Sequence, residues 1–468
     1  MHASTARSRS VALAGISIAS FLGCIDFTIV NTAMPAIQQA LDADVQTSQW
    51  IVTAFLIGLS TCMVAAGRLA DLRGRRRALY AGMVLFAIGS LGAGLAWNVQ
   101  ALIAWRLVQG IACAALYTAS TAVVTQMFPE AERGKAIGLL FGANGLGLAI
   151  GPVVGGLVVG LLGWRAVFLM NVPLIAIGFL LCRGRVMESR ASSAETLDVV
   201  GLIVAMLALP CLLLAVVQGA DWGWLSLRTT CLAGAGALLL CAFVWTERKA
   251  RFPLFQFDLF ANLRFASAAI ASASLAFFYC SAFFLMPMYL SLARGCDSTA
   301  TGWLLLPTTA VMAIASPLSG RWADRRGTTE PMLAGLVVLM ASAALQTQFA
   351  STTSWIAVIT AFAFMGVGWG CLLGPSTMAA IAAVPPALAG LATGAAWTLH
   401  NFAGALGLSL ATTVYRAFAG TDPRALGGYS ASMWLLVVVC ALAFVSVLVV
   451  SVVVARSVPP LDGQRRTA

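Results

Sequence analysis

The sequence predicts an all-α integral membrane protein of fourteen transmembrane helices: two six-helix bundles related by internal duplication, with two further helices inserted between them. Three observations carry that expectation: the composition, a repeated octapeptide, and a series of apolar runs whose loops share Lys and Arg unequally. Of 468 residues, 60% are hydrophobic and 10% charged, against roughly 45–50% and 25% in soluble globular chains. A spanning helix needs about 20 apolar residues. The length therefore holds well over ten spans and leaves no room for a sizeable soluble domain.

The octapeptide Gly67-Arg68-Leu69-Ala70-Asp71-Leu72-Arg73-Gly74 returns as Gly320-Arg321-Trp322-Ala323-Asp324-Arg325-Arg326-Gly327, matching at six of eight positions with an offset of 253. Met34-Pro35 returns as Met286-Pro287, and Pro129, Gly134, Ala136 and Gly138 return as Pro385, Gly390, Ala392 and Gly394, at nearly the same spacing. Duplication within a long apolar chain is the mark of a secondary transporter built from two similar bundles.

Apolar runs place spans near 11–34, 48–67, 78–97, 101–125, 135–160, 165–182, 198–218, 229–246, 265–289, 301–320, 332–349, 355–380, 391–415 and 431–455. The repeat offset corresponds to about eight spans at roughly 30 residues each with loops, so the duplicated unit is six helices and two are inserted. The expected units are residues 1–190, 191–255 and 256–468. Arg7 and Arg9 ahead of the first run imitate a signal peptide, but the run continues through Asp26 without a small-residue cleavage site and is read as a retained span.

Twenty-two of the 28 Lys and Arg residues fall on the side shared by both termini, five fall opposite, and Arg106 lies within a span. The positive-inside rule then places both termini in the cytoplasm. A net charge of +11 spread between apolar runs, rather than along one amphipathic face, is a topology signal and excludes nucleic acid as a partner. The run Arg73 to Arg77 is first a topological anchor. The 11 cysteines show no metal-ligand spacing and read as small packing residues, Cys296 alone as a loop thiol.

Charges inside spans cost several kcal/mol and are functional candidates. Three ionisable residues qualify: Asp26, Arg106 and His400. At 1.5 Å per residue, Asp26 lies roughly 23 Å along the first span and Arg106 roughly 8 Å below the outer face of the fourth. Those depths agree within a hydrocarbon core of about 30 Å. Asp26 and Arg106 are therefore expected to face one cavity and to interact, directly or through water. A carboxylate raised by desolvation and lowered by an arginine could load and release a proton as their separation changes; the alternative is a static ion pair. His400, near mid-membrane, is a possible second proton carrier or a hydrogen-bonded packing residue. Positions equivalent to Asp26 and Arg106 in the second copy, around Phe278 and Ile359 to Ala361, carry no charge. Proton handling thus belongs to the first bundle.

Gly147, Gly151, Pro152, Gly155 and Gly156 punctuate the fifth span. Glycines four apart share a face and allow close backbone approach, while Pro152 removes a hydrogen bond and bends the helix. In the ninth span, Phe277, Phe278, Phe283, Phe284, Met286 and Met288 could line a greasy cavity. No paired carboxylates, His cluster or nucleophile with a base is present, so the sequence predicts no enzyme and no cofactor beyond the proton gradient.

These motifs together resemble the major facilitator superfamily in its fourteen-span drug:proton antiporter branch. The octapeptide with Arg75 to Arg77 is similar to that superfamily's signature between spans 2 and 3. Cys24 to Pro35 resembles the first-span motif of the branch, and Arg106-Leu107-Val108-Gln109-Gly110 the span-4 motif linked to proton coupling. Gly147 to Gly156 resembles the span-5 antiporter motif, and Trp164-Arg165 with Phe168, Asn171 and Pro173 a further signature. The resemblance implies alternating access by two rocking bundles, with proton entry exchanged for export of a hydrophobic drug-like or antibiotic-like molecule. It implies a cytoplasmic gate at Gly67, Asp71 and Arg75, with Asp324 in the second copy. It also implies residence in a bacterial plasma membrane and function as a monomer. Relatives tend to carry Arg where His400 stands, so that charge becomes pH-dependent here, and the tenth span lacks an acidic residue, which argues against dicationic substrates. Other readings are a dedicated exporter of one metabolite or self-made antibiotic, a proton-coupled importer, which the span-5 motif argues against, and a transport-dead sensor.

Overall fold

The computed structural model describes residues 6–190, 199–249, 258–384, 389–420 and 426–457. All regular structure among them is helical. The first unit contains α1 (Ala6–Leu41), α2 (Val45–Arg73), α3 (Arg75–Gly94), α4 (Val99–Met127), α5 (Glu130–Leu162), α6 (Trp164–Leu169) and α7 (Asn171–Cys182). A hairpin of α8 (Val199–Trp222) and α9 (Leu227–Lys249) follows. The second unit contains α10 (Asp258–Ala261), α11 (Leu263–Met288) continued by a π-helical turn (Tyr289–Ala293), α12 (Ser298–Arg326), α13 (Thr329–Gln346), α14 (Trp355–Ala382), α15 (Ala389–Ala419) and α16 (Leu426–Ser457). The expected boundaries at 191 and 255, Pro385 and Arg424 lie outside the described residues.

Each of the fourteen apolar runs coincides with a helix, α6 and α7 sharing one. Length and apolarity alone qualify eleven described helices as membrane spans, or twelve if the halves of α2 on either side of a 48° bend count as one. α8 is long and apolar enough by sequence but is counted only over Ile203–Val216; for α15 the shortfall has a physical reason, since it carries Thr398, His400, Asn401, Ser409 and Thr412, with His400, Asn401, Ser409 and Thr412 buried. A helix surrounded by other helices need not be apolar all round.

Duplication is visible in the helix partnerships. In the first unit α2 packs on α4, α1 on α5, α3 on α4 and α1 on α7; in the second α12 packs on α14, α11 on α15, α13 on α14 and α11 on α16. The units meet where α5 crosses α12, α2 crosses α15 and α1 meets α11. The α8–α9 hairpin leans on α2 and α15, outside that junction. Local chemistry repeats as well. Asp44 caps α2 by accepting from the Thr47 amide at 2.8 Å, and Asp297, 253 residues later, caps α12 by accepting from the Ala300 amide at 2.7 Å. Gly74 and Gly327 end the same two helices at φ +123° and +85°, where a side chain is strained.

Close helix approach rests on glycines at equivalent crossings. A Cβ on Gly110 of α4 would fall 3.0 Å from the Leu59 amide nitrogen of α2, and one on Gly366 of α14 would fall 3.1 Å from the Met312 amide nitrogen of α12. Gly110→Val is expected to destabilise the protein by about 1–3 kcal/mol through overpacking. Gly142→Val, where a Cβ meets nothing within 4 Å, should leave thermal unfolding in detergent unchanged. Equal losses in the two variants would contradict this packing.

Candidate functional site

Asp26 of α1 and Arg106 of α4 are fully buried and form a direct ion pair. Low dielectric makes an unpaired charge costly, and the surroundings satisfy nearly every remaining lone pair and proton. Asn171 of α7 donates to Asp26 Oδ1 at 3.0 Å, and Gln109 of α4 adds a longer contact at 3.4 Å. Arg106 Nη1 also donates to Gln109 Oε1 at 3.0 Å, and its Nε donates to the Ile51 carbonyl of α2 at 3.0 Å. Gln109 donates to Ser90 Oγ of α3 at 2.8 Å. The guanidinium lies 4.3 Å from the ring centre of Phe55 and 5.8 Å from that of Phe168, a further cation–π contribution. One donor, Arg106 Nη2, has no partner.

Agreement of depth therefore identified two members of a five-residue network spanning α1, α3, α4 and α7. Gln109 and Asn171 stood inside recognised motifs, three residues after Arg106 and after Phe168 respectively, but their chemistry was not legible. Ser90 carried no signal, being one hydroxyl in an apolar run.

α5 fits between two partners on two faces. Gly147, Gly151 and Gly155 face α1: a Cβ there would meet the Ile25 amide at 3.2 Å, Thr28 Cβ at 2.9 Å and the Ile29 carbonyl at 3.1 Å respectively. Gly156 and the Pro152 carbonyl face Gly302 of α12, and Thr299 donates to the Gly156 carbonyl at 3.3 Å. Eighteen residues make five full helical turns, so Gly138 and Gly142 have the same azimuth as Gly156 and Gly160. A Cβ at Gly138, Gly142 or Gly145 meets nothing within 4 Å. The stripe of α5 that touches α12 near one face of the bundle is thus open along its other half. At the closed end, Thr412 of α15 also hydrogen-bonds Gln49 of α2. The open half lies toward the face that carries the α2–α3 loop and the end of α7.

His400 lies away from the ion pair, in the second unit. A carbonyl can only accept, so the 2.9 Å contact between Nδ1 and the Ser272 carbonyl places the proton on Nδ1. Nε2 then accepts from the Tyr279 hydroxyl at 3.2 Å. The ring is buried and doubly hydrogen-bonded, as a packing histidine would be; the structure does not join it to Asp26 and Arg106.

The profile of the Major Facilitator Superfamily matches residues 16–408. The chain belongs to the Major Facilitator Superfamily. Multidrug resistance protein Stp of Mycobacterium tuberculosis is 33% identical over 413 residues, covering 88% of this chain and 77% of that protein. The tetracenomycin C resistance and export protein of Streptomyces glaucescens is 30% identical over 85% of this chain and 74% of its own length. The puromycin resistance protein of Streptomyces alboniger is 30% identical over 88% and 84%. A bacterial homologue of the human lysosomal transporter Spinster, solved inward-facing and unoccupied, shares the fold with a TM-score of 0.72 at 15% identity, over 97% of this chain and 98% of that one.

In this superfamily member the two octapeptides occupy different surroundings. Asp71 is ion-paired with Arg75, Nη2 at 2.6 Å and Nε at 2.7 Å from Oδ1. Among the described residues, Thr118 of α4 is the one beside Gly67, 3.7 Å from an added Cβ. Glu188, beyond α7, covers Gly74, accepts from the Arg76 amide at 3.1 Å and lies 3.6 Å from the Arg76 and Arg77 guanidinium nitrogens. The Arg75 amide donates to the Ser189 carbonyl at 3.0 Å. Asp324 is exposed, and a Cβ on Gly327 would meet nothing within 4 Å. Glu188 and Ser189, from beyond α7, strap down the first copy, whereas the second is tied only to the start of the next helix, Trp322 Nε1 donating to Glu330 at 3.0 Å with Arg326 3.9 Å from the same carboxylate, among the described residues.

Breaking the buried pair from one side should cost about 3–5 kcal/mol, because the other charge stays buried. Arg106→Leu is expected to lose that much stability, and Asp26→Leu/Arg106→Leu to recover much of it. A double variant no more stable than the single one, by thermal unfolding, would contradict a coupled pair.

Proposed function

We propose that this superfamily transporter is a proton-coupled antiporter that exports hydrophobic, drug-like or antibiotic-like molecules from a bacterial cell across the plasma membrane by alternating access. The observation that carries the reading is the buried Asp26–Arg106 pair. Among the described residues Asp26 is the one carboxylate in the middle of a helix, and it sits in the unit that carries the α5 glycine motif. The similarity to named drug and antibiotic resistance proteins supports the substrate class.

With both termini in the cytoplasm, the open half of the α5 stripe faces inward, toward the side from which substrate is loaded. Units 1–190 and 256–468 rock about the α5–α12, α2–α15 and α1–α11 contacts, with the inserted hairpin at the side. When Asp26 takes a proton it loses its attraction for Arg106, and the guanidinium must find other acceptors; Ile51 and Gln109 already provide two. Proton loss restores the pair. Each proton entering supplies about 2.3 kcal/mol per 100 mV of membrane potential. Asp71 and Arg75, beside the loop that Glu188 holds through Gly74, Arg76 and Arg77, form the cytoplasmic gate, with Asp324 as its weaker counterpart. His400 is a second candidate for proton handling. No nucleic acid, metal or organic cofactor has a part, and a single chain holds both bundles.

In inverted vesicles with an acid interior, the wild type should accumulate a drug or dye and dissipate the pH difference as it does so. Asp26→Asn should lose both effects while still folding; intact proton-driven transport in that variant would sink the coupling role. In the same assay Asp71→Asn should impair transport more than Asp324→Asn. Equal tolerance of the two would remove the asymmetry between the octapeptides.

Sidedness has its own check. Cys296 lies in the loop between the π-helical turn and α12, and burial pushes its thiol up despite nearby Arg294. Little thiolate is present at neutral pH, so a membrane-impermeant maleimide should label intact cells slowly, faster as pH rises, and not in Cys296→Ser. Labelling that requires broken cells would place the termini outside.

A further inference from the structure

The seam between α5 and α12 is closed along one half and open along the other, and both helices show the division. A Cβ on Gly156 of α5 would fall 3.1 Å from the Gly302 Cα of α12, and one on Gly160 would meet Thr299 Cβ at 3.8 Å. Toward the face that carries the α2–α3 loop the contact stops. Gly138 and Gly142 of α5 are exposed and Gly145 is half-buried, with nothing within 4 Å of an added Cβ at any of them. On α12, Ala313 is exposed, Ser316 and Gly320 are half-buried, and a Cβ on Gly320 meets nothing within 4 Å.

The two open stretches are in register. Gly156 meets Gly302 and Gly160 meets Thr299, so the helices run antiparallel. A residue a given number of positions before Gly156 therefore comes opposite the residue as many positions after Gly302 when the helices lie together. That pairs Gly145 with Ala313, Gly142 with Ser316 and Gly138 with Gly320. The steps of about 11, 14 and 18 positions are close to three, four and five whole turns, so all six residues lie on the facing stripes. Each pair is small enough for the two backbones to approach closely.

The duplicated seam is built otherwise. α15 repeats α5 with the offset that relates Gly138 to Gly394, and α2 repeats α12 with the offset of the octapeptides, so Asn401 and Met63 stand where Gly145 and Ser316 do. Asn401 Nδ2 lies 3.9 Å from Met63 Sδ. Longer side chains bridge that seam at the depth where the α5–α12 seam is open.

We propose that the open halves of α5 and α12 are a gate that closes once in each transport cycle by zipping Gly138, Gly142 and Gly145 against Gly320, Ser316 and Ala313. This rests on the reading of the protein as an alternating-access exporter and names surfaces that seal its cytoplasmic side. Gly156 and Gly302, already in contact, set the register. Gly and Ala have no side-chain entropy to lose when they meet, so the helices can close and part again readily.

The test is disulfide trapping in the full-length protein in inverted vesicles, with the bridged peptides identified by mass spectrometry. Under mild oxidation, Gly142→Cys/Ser316→Cys and Gly138→Cys/Gly320→Cys should accumulate the intramolecular disulfide at least about fivefold faster than Leu139→Cys/Ser316→Cys, whose first cysteine lies off the stripe. Adding Gly142→Val to the Gly138→Cys/Gly320→Cys pair should suppress its disulfide, because the branched side chain holds the helices apart. With an acid interior and ethidium as the probe, the bridged Gly142→Cys/Ser316→Cys protein should lose uptake and regain it on reduction. Gly142→Val alone should lower uptake about tenfold or more by overpacking the closed seam, and Gly142→Ala less. Equal disulfide yields at the paired and off-stripe positions would overturn the gate. So would ethidium uptake at the wild-type rate in the bridged protein or in Gly142→Val, an outcome that leaves the exporter reading standing. Disulfides in register and suppressed by Gly142→Val, without proton-driven ethidium uptake by the wild type, would support the closure and count against export.

Discussion

The constraint on which the first bundle depends is the removal of two full charges, Asp26 and Arg106, from water. Unpaired, either would cost several kcal/mol in a low-dielectric interior. The bundle meets that demand by converging four helices and a turn of a fifth on one point: α1 brings the carboxylate, α4 the guanidinium and Gln109, α3 Ser90, α7 Asn171, and α2 the Ile51 carbonyl. Packing and electrostatics are therefore the same problem here. A change in the charge of Asp26 alters the balance that holds all these helices together.

The second bundle shows what the duplicated scaffold does without that constraint. Ser342, 252 residues after Ser90, accepts from Gln346 at 3.1 Å, and Gln346 accepts from the Tyr429 hydroxyl at 2.6 Å. This neutral chain ties α13 to α16 much as the ion-pair network ties α3 to α7. Tyr279 stands one residue past Phe278, where the first copy has Asp26. Duplication preserved the positions of polar contacts between helices while charge remained in one copy and an aromatic centre arose in the other. The units thus differ in their interiors, the first holding the buried ion pair and the second the rings around Tyr279.

Much of this was legible from residues alone. The octapeptide fixed the duplication, and the shared depth of Asp26 and Arg106 anticipated their contact. Asp44 and Asp297 obey the same offset and announce equivalent helix starts, a signal present in the sequence but hidden among loop residues. Ser90 and Asn171 were not readable as partners, because an uncharged side chain gains its meaning from the helix opposite, which periodicity does not identify. Tyr279 escaped for another reason: comparing the copies by charge passes over an aromatic residue. The small and polar residues that let α15 pack inside the protein also lower its apolarity, so a helix that coincides with a predicted run falls short as a membrane span on composition.

The central claim is that Asp26 is the carboxylate that gains and loses the transported proton within this buried network. Infrared difference spectroscopy of the purified protein across a pH jump measures it directly, through the carbonyl stretch of a protonated carboxyl group. The wild type should show that band appear on acidification in an environment protected from bulk water, and Asp26→Asn should lack it. An undiminished band in Asp26→Asn, or none in the wild type, would contradict the assignment.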